Sequence, residues 1–149
     1  MKYRITPRGI LIQDHKVLFA SYQVKDKTIY ALPGGKQKTG ESLHACLRRE
    51  FKEELNLAIE VGALVLVKEF IHEQSDVRGW EAGIHQVELI FEVTCSQILD
   101  TDKLGSELDK NMLGADFLSP IEMSNRTYFP EQDPKWFFEE KVAIPYLLN

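Results

Sequence analysis

Gly35 to Leu57 reads GKQKTGESLHACLRREFKEELNL. A glycine-rich loop runs into Ser42, a residue suited to cap a helix N-terminus, and then into a helical period. With about 100° per residue and Glu50 set at zero, Leu43, Leu47, Phe51 and Leu55 fall at roughly 20°, 60°, 100° and 140°. That stripe is the face a helix buries. Glu54 falls near 40°, roughly inside the stripe, and Glu53 near −60°, at its edge. Positions three and four apart share a face, so Glu50 stands beside both. Nothing about folding asks for three carboxylates there.

An acidic helix is ordinarily a solvated face laced with ion pairs. The solvent side of this helix lies elsewhere, around Ala45, Arg48 and Lys52. Partly buried like charges about 5 Å apart, at an effective dielectric near 20, repel by about 3 kcal/mol per pair, and desolvation adds to that. Arg49 reaches Glu53 at i+4 and relieves part of the strain. A hard divalent cation, Mg²⁺ or Mn²⁺, relieves more, because such ions take carboxylate oxygens. Glu50 and Glu54 are the first candidate metal ligands, with Glu53 beside them.

The spacing then carries a resemblance. Gly35, five residues, Glu41, seven residues, Arg49-Glu50-Phe51, one residue, Glu53-Glu54, one residue, Asn56-Leu57 resembles the box of the Nudix hydrolases. Every charged position is present. Asn56 stands where the pattern has glycine, and Phe51 where it usually has an aliphatic residue. Asparagine is the next most tolerant residue of the left-handed conformation that ends a helix. The resemblance implies an α/β fold, an α/β/α sandwich around a mixed sheet. It implies metal-dependent hydrolysis of a phosphoanhydride in a nucleoside diphosphate derivative, such as a nucleoside triphosphate, a nucleotide sugar or ADP-ribose. Mg²⁺ or Mn²⁺ is the implied cofactor. Glu50 or Glu53 is the implied general base, with Arg49 holding the carboxylates in register. Gly35 and Glu41, at the loop and helix entry, fall on the substrate side. The alternative is a module that senses a nucleotide without turnover; relatives of that kind usually lose box carboxylates, and this chain keeps all three.

At 149 residues the chain is expected to form one domain over residues 1–149. A net charge of −5 and a pI near 5.4 argue against the basic surface of a general nucleic-acid binder. Cys46 and Cys95 form no metal or redox spacing and are expected to stay reduced. The N-terminus lacks the apolar run of a signal peptide, and no stretch approaches the ~20 apolar residues of a membrane span. A cytoplasmic location follows as the expectation. The expected partner is a small-molecule nucleotide derivative, with a homodimer compatible with the chain. Neither a membrane nor stable nucleic-acid binding is expected.

Around the box, Arg4 to Gln13 and Val17 to Tyr22 read as strands joined by Asp14-His15-Lys16, with Pro7 requiring an edge or a break. Thr28 to Leu32, Ala58 to His72, His85 to Cys95 and Gly114 to Leu118 read as further strands. In His85 to Cys95, Val87, Leu89, Phe91 and Val93 align on one face. In Ala58 to His72 the alternation sets Ile59, Val61, Ala63, Val65 and Val67 against Leu64 and Leu66, so both sheet faces are expected to be covered. Pro120 opens a short helix, and Pro134 to Leu148 reads as a C-terminal helix packing Trp136, Phe137, Val142 and Ala143. Glu69, Glu88 and Glu92 are further candidates for the base; the plainer reading of each is a strand charge reaching solvent. His15, His44, His72 and His85 show no ligand spacing. Trp80, in the polar loop from Glu73 to Gly83, suits either a stack on a nucleobase or a core contact. Tyr128-Phe129-Pro130, Asp133 and Trp136 are places where specificity would lie.

Overall fold

The computed structural model describes residues 1–73, 82–108 and 111–149. Strands β1 (Lys2–Gln13) and β2 (Lys16–Val24) meet in a two-residue turn at Asp14 and His15, both at positive φ of 50° and 57°. That geometry matches the right-handed twist of the strands it joins. The two pair only at Ile12↔Val17 and Gln13↔Lys16 and then diverge. The later strands are β3 (Lys27–Ala31), β4 (Glu60–His72), β5 (Ile84–Thr94), β6 (Met112–Leu118) and β7 (Tyr128–Phe129). β1 runs parallel to β5 from Lys2↔Ile84 to Leu11↔Val93, and β4 lies antiparallel on β5's other side. β2 carries β3 and β6, both antiparallel, and β7 joins β3. The sheet is mixed, as expected.

The wedge left where β1 and β2 part is filled by the chain that leaves β3. Gly9 donates to the Pro33 carbonyl at 2.9 Å, Gly35 to Pro7 at 3.3 Å and Gln37 to Ile5 at 2.9 Å. Odd-numbered peptides of β1 therefore face the wedge and even-numbered ones face β5. Pro7, which has no N–H to give, sits on the wedge side and interrupts no bond to β5. The strand is continuous through it, and the expected edge is met by one face of the backbone alone.

Helix α1 (Leu43–Leu55) packs on one side of the sheet. Leu43, Leu47, Phe51 and Leu55 meet Leu11, Phe91 and Val93. Gly9 makes the approach close, since a methyl there would stand 3.0 Å from the Phe51 ring. On the other side Ile10, Val17, Phe19 and Ile90 pack against Met123 of α2 (Pro120–Ser124) and Phe137 of a 3₁₀ turn at Pro134–Phe138. Each fully buried Leu or Phe contributes about 1.5–3 kcal/mol relative to exposure. Among the described residues, no helix is long and apolar enough to cross a membrane.

Three expectations are corrected. Pro134 to Leu148 is no helix: after the 3₁₀ turn the chain runs extended, and Ile144 donates to the Leu64 carbonyl at 2.8 Å. Val142, expected to pack, is 89% exposed, while Tyr146 packs beside Phe91 and His44. A helix through Pro145 would lose an i→i−4 bond, whereas the extended path covers the edge of β4. Alternation in β4 is broken by irregularities between Val61 and Leu66, which put Leu64 with Val61 on the α1 side and Leu66 with Ala63 and Val65 on the other. Glu88 does not reach solvent; it is buried. Trp80 lies outside the described residues.

Ser42 caps α1 by accepting from the Ala45 amide at 3.0 Å, and Asn56 ends it in the left-handed conformation at φ 54°, ψ 36°. Asn56→Gly is expected to leave the melting temperature unchanged or raise it by the equivalent of up to about 1 kcal/mol, because the site already has the geometry glycine prefers. A clear drop in a thermal melt would contradict the cap.

Candidate functional site

Glu50 and Glu54 are 8% and 4% exposed, so the box carboxylates stand in the buried stripe and not on the solvent face. Arg49 gathers three of the four box glutamates. Its Nε and Nη2 form a fork on Glu41 at 3.0 and 2.7 Å, and its Nη1 donates to Glu50 at 2.9 Å and Glu53 at 3.2 Å. Nη2 also reaches the Lys36 carbonyl at 3.2 Å, tying helix to loop. One positive charge is thus shared by three carboxylates, and Glu54 adds a fourth on the same turn. Excess negative charge in a half-buried site is what a cation neutralises.

The Arg49 guanidinium, helped by the Lys38 amide, holds the Glu41 carboxyl down from its ordinary 4.5 to about 2, against the opposing pull of partial burial. A depressed carboxylate contributes stability above its ordinary value and loses it as pH falls through the folded-state value. Wild type is therefore expected to lose the Glu41–Arg49 contribution between pH 4.5 and about 2. In urea titrations, the stability gap between wild type and Glu41→Gln should narrow across the upper part of that window; a gap independent of pH would contradict the pairing.

The loop is built around these side chains. A methyl on Gly35 would fall on the Glu50 carboxyl group, and one on Gly34, at φ 153°, would fall on the Pro7 carbonyl. Cys46 donates to the Gly35 carbonyl at 3.6 Å; burial, and then Glu41, push its thiol up to about 12, so it stays protonated and is no nucleophile. At the far end of α1, the amides of Gly105 and Glu107 donate to the carbonyls of Glu54 and Glu53 at 2.9 and 3.2 Å. A methyl on Gly105 would fall on the Glu53 carbonyl. This clamp on the helix C-terminus had no local signal beyond the glycine itself.

The donor chemistry fits a hard divalent cation: carboxylates on one helical turn, two of them within reach of the same guanidinium nitrogen. No three Asp, Glu, His or Cys side chains among the described residues converge as a ready metal cage. That arrangement suits Mg²⁺, which takes one or two carboxylates and completes its shell with water and phosphate oxygens.

Of the other candidates, Glu69 meets His85 at 3.0 Å on a solvent-facing part of the sheet. Glu88 accepts from Arg8 Nε at 2.8 Å and from Gln86 Nε2 at 3.0 Å. Tyr128, Gln132 and Asp133 line a small open pocket with Arg126, Thr127 and Glu131, while Trp136 packs on Phe137 and under Lys141.

Comparison with known proteins identifies the family and the fold. Residues 2–139 match the NUDIX domain. The chain is similar in structure to a Nudix hydrolase from Nitrosomonas europaea, with TM-score 0.71, 16% identity and 98% of each chain covered. It is also similar to the E. coli ORF135 protein, with TM-score 0.57, 21% identity, and 93% of this chain and 88% of that one covered. A MutT Nudix hydrolase from Burkholderia pseudomallei gives TM-score 0.60 at 19% identity, covering 82% of this chain and 87% of that one. No curated protein matches the sequence.

Proposed function

We propose a metal-dependent pyrophosphohydrolase, because this chain belongs to the NUDIX family and keeps every charged position of the family's box. The observation that carries the reading is the sharing of Arg49 among Glu41, Glu50 and Glu53, with Glu54 buried on the same turn. Glu50 and Glu54 would hold a Mg²⁺ or Mn²⁺ ion, with Glu53 beside them. Such an ion, when bound, neutralises phosphate oxygens and lowers the pKa of a coordinated water.

The chain's own residues do the rest. Arg49 fixes the rotamers of Glu50 and Glu53, and Glu41 fixes Arg49, so little reorganisation is left for the reaction. Glu53, the more accessible of the two carboxylates on Nη1, takes the proton of the attacking water, with Glu50 as the other possible acceptor. The water oxygen bonds to phosphorus and the anhydride P–O bond breaks. The Gly34–Gly35 turn brings backbone close to Glu50 with no side chain between.

The substrate is a nucleoside diphosphate derivative; a UDP-X diphosphatase is among the structurally similar proteins and makes nucleotide sugars one class to include. Phosphate and pyrophosphate release should be followed across nucleoside triphosphates, nucleotide sugars, ADP-ribose and dinucleoside polyphosphates. Release in Mg²⁺ or Mn²⁺ that EDTA abolishes is the expected result. Silence on every compound, with ligand-induced thermal shifts retained, would replace the hydrolase by a nucleotide-sensing module.

A further inference from the structure

Four polar side chains lie buried or nearly so on the sheet face away from α1: Thr6 and Arg8 of β1, Gln86 and Glu88 of β5. Alternation sets them in line with Ile10 and Ile90 of the apolar core. A buried ion pair is seldom worth more to stability than the apolar residues it displaces, so its presence asks for a use. Arg8 Nε donates to Glu88 at 2.8 Å and Nη1 to the Leu32 carbonyl at 2.9 Å. Two bonds from different elements fix the plane of the guanidinium, and Nη2 stands outside both. The side chain keeps 15% of its surface exposed. Burial pulls its pKa down, but the carboxylate charge and hydrogen bond of Glu88 more than compensate, so Arg8 stays charged.

The Arg8 backbone lies beside the loop that precedes α1. Arg8 bridges to Gly34, and a methyl on Gly34 would lie 2.8 Å from its Cα and 3.0 Å from its Cγ. A methyl on the next residue, Gly35, would meet the Glu50 carboxyl. Arg8 and Glu50 therefore flank one peptide unit of the turn. We propose that Arg8, oriented by Glu88, is a substrate-binding residue whose Nη2 edge takes a phosphate oxygen of the nucleoside diphosphate derivative at the mouth of the β1–β2 wedge. This rests on the pyrophosphohydrolase reading. A guanidinium held by a carboxylate on one side and presented on the other is pre-organised for an anion, and lysine has no second edge with which to repeat the arrangement.

The test is calorimetric titration of wild type, Arg8→Gln and Arg8→Lys with inorganic pyrophosphate and with methylene-bridged ADP, beside KM and kcat on whichever compound wild type hydrolyses. Both variants are expected to weaken binding by about tenfold to a hundredfold, the loss of one charge-assisted hydrogen bond, and to raise KM while kcat changes far less. If Arg8→Gln fails to fold, Arg8→Lys carries the test through the same readouts. Unchanged pyrophosphate affinity and KM in a folded variant would overturn the role of Arg8 and leave the hydrolase reading standing. Weakened binding in a protein that hydrolyses nothing would sustain the role of Arg8 and sink the hydrolase reading. Wild type that binds neither probe would overturn the proposal.

Discussion

Glu54→Gln is expected to cut kcat at saturating Mg²⁺ by about 10²–10³-fold, the loss typical of removing one pre-organised electrostatic group. Its side chain is 4% exposed in the apolar stripe of α1, one turn from Glu50. Glutamine preserves its shape and removes its charge, so the melting temperature should move by a few degrees at most. The two readouts together separate a ligand from a structural residue. Unchanged kcat in the variant would take Glu54 out of the site, and collapse of the fold would mean its charge serves packing.

Gly35→Ala should be nearly as damaging by another route. The added methyl would occupy the position of the Glu50 carboxyl group, so either the loop or Glu50 must move. Overpacking of this kind costs about 1–3 kcal/mol, and misplacing a catalytic group by about 1 Å costs on the order of 10²-fold in rate. Gly40→Ala is the informative contrast. Gly40 sits at φ 89°, so alanine there is strained, but its methyl would meet nothing within 4 Å. Stability should fall in both variants and kcat in Gly35→Ala alone. Equal effects on kcat would show that loop strain, and not the approach of Gly35 to Glu50, governs activity.

What could be read from the sequence was what depends on neighbours along the chain. Helix α1, its Ser42 cap, its Asn56 end and the burial of Glu50 and Glu54 all follow from four-residue periodicity within one segment. The alignment of Leu89, Phe91 and Val93 follows from alternation in the same way. What could not be read depends on partners far away. Glu88 looked like a strand charge bound for solvent; its partner Arg8 is 80 residues distant. The clamp of Gly105 and Glu107 on the end of α1 joins segments some fifty residues apart. Val142 and Ala143 suggested a packed helix, yet both are exposed, because the tail is held by a backbone bond to the bulged part of β4 and by the Tyr146 ring. Pro145 was the local sign against that helix.

The central claim, that the α1 carboxylates form a divalent-cation site for hydrolysis, is tested most directly by titrating Mn²⁺ and following the free ion by electron paramagnetic resonance. Wild type and Glu50→Gln/Glu54→Gln would be compared, with and without methylene-bridged ADP. Wild type should bind Mn²⁺ more tightly with the nucleotide than without it, since phosphate oxygens complete the ion's shell, and the double variant should lose that site. Identical Mn²⁺ binding by the two proteins would contradict the account.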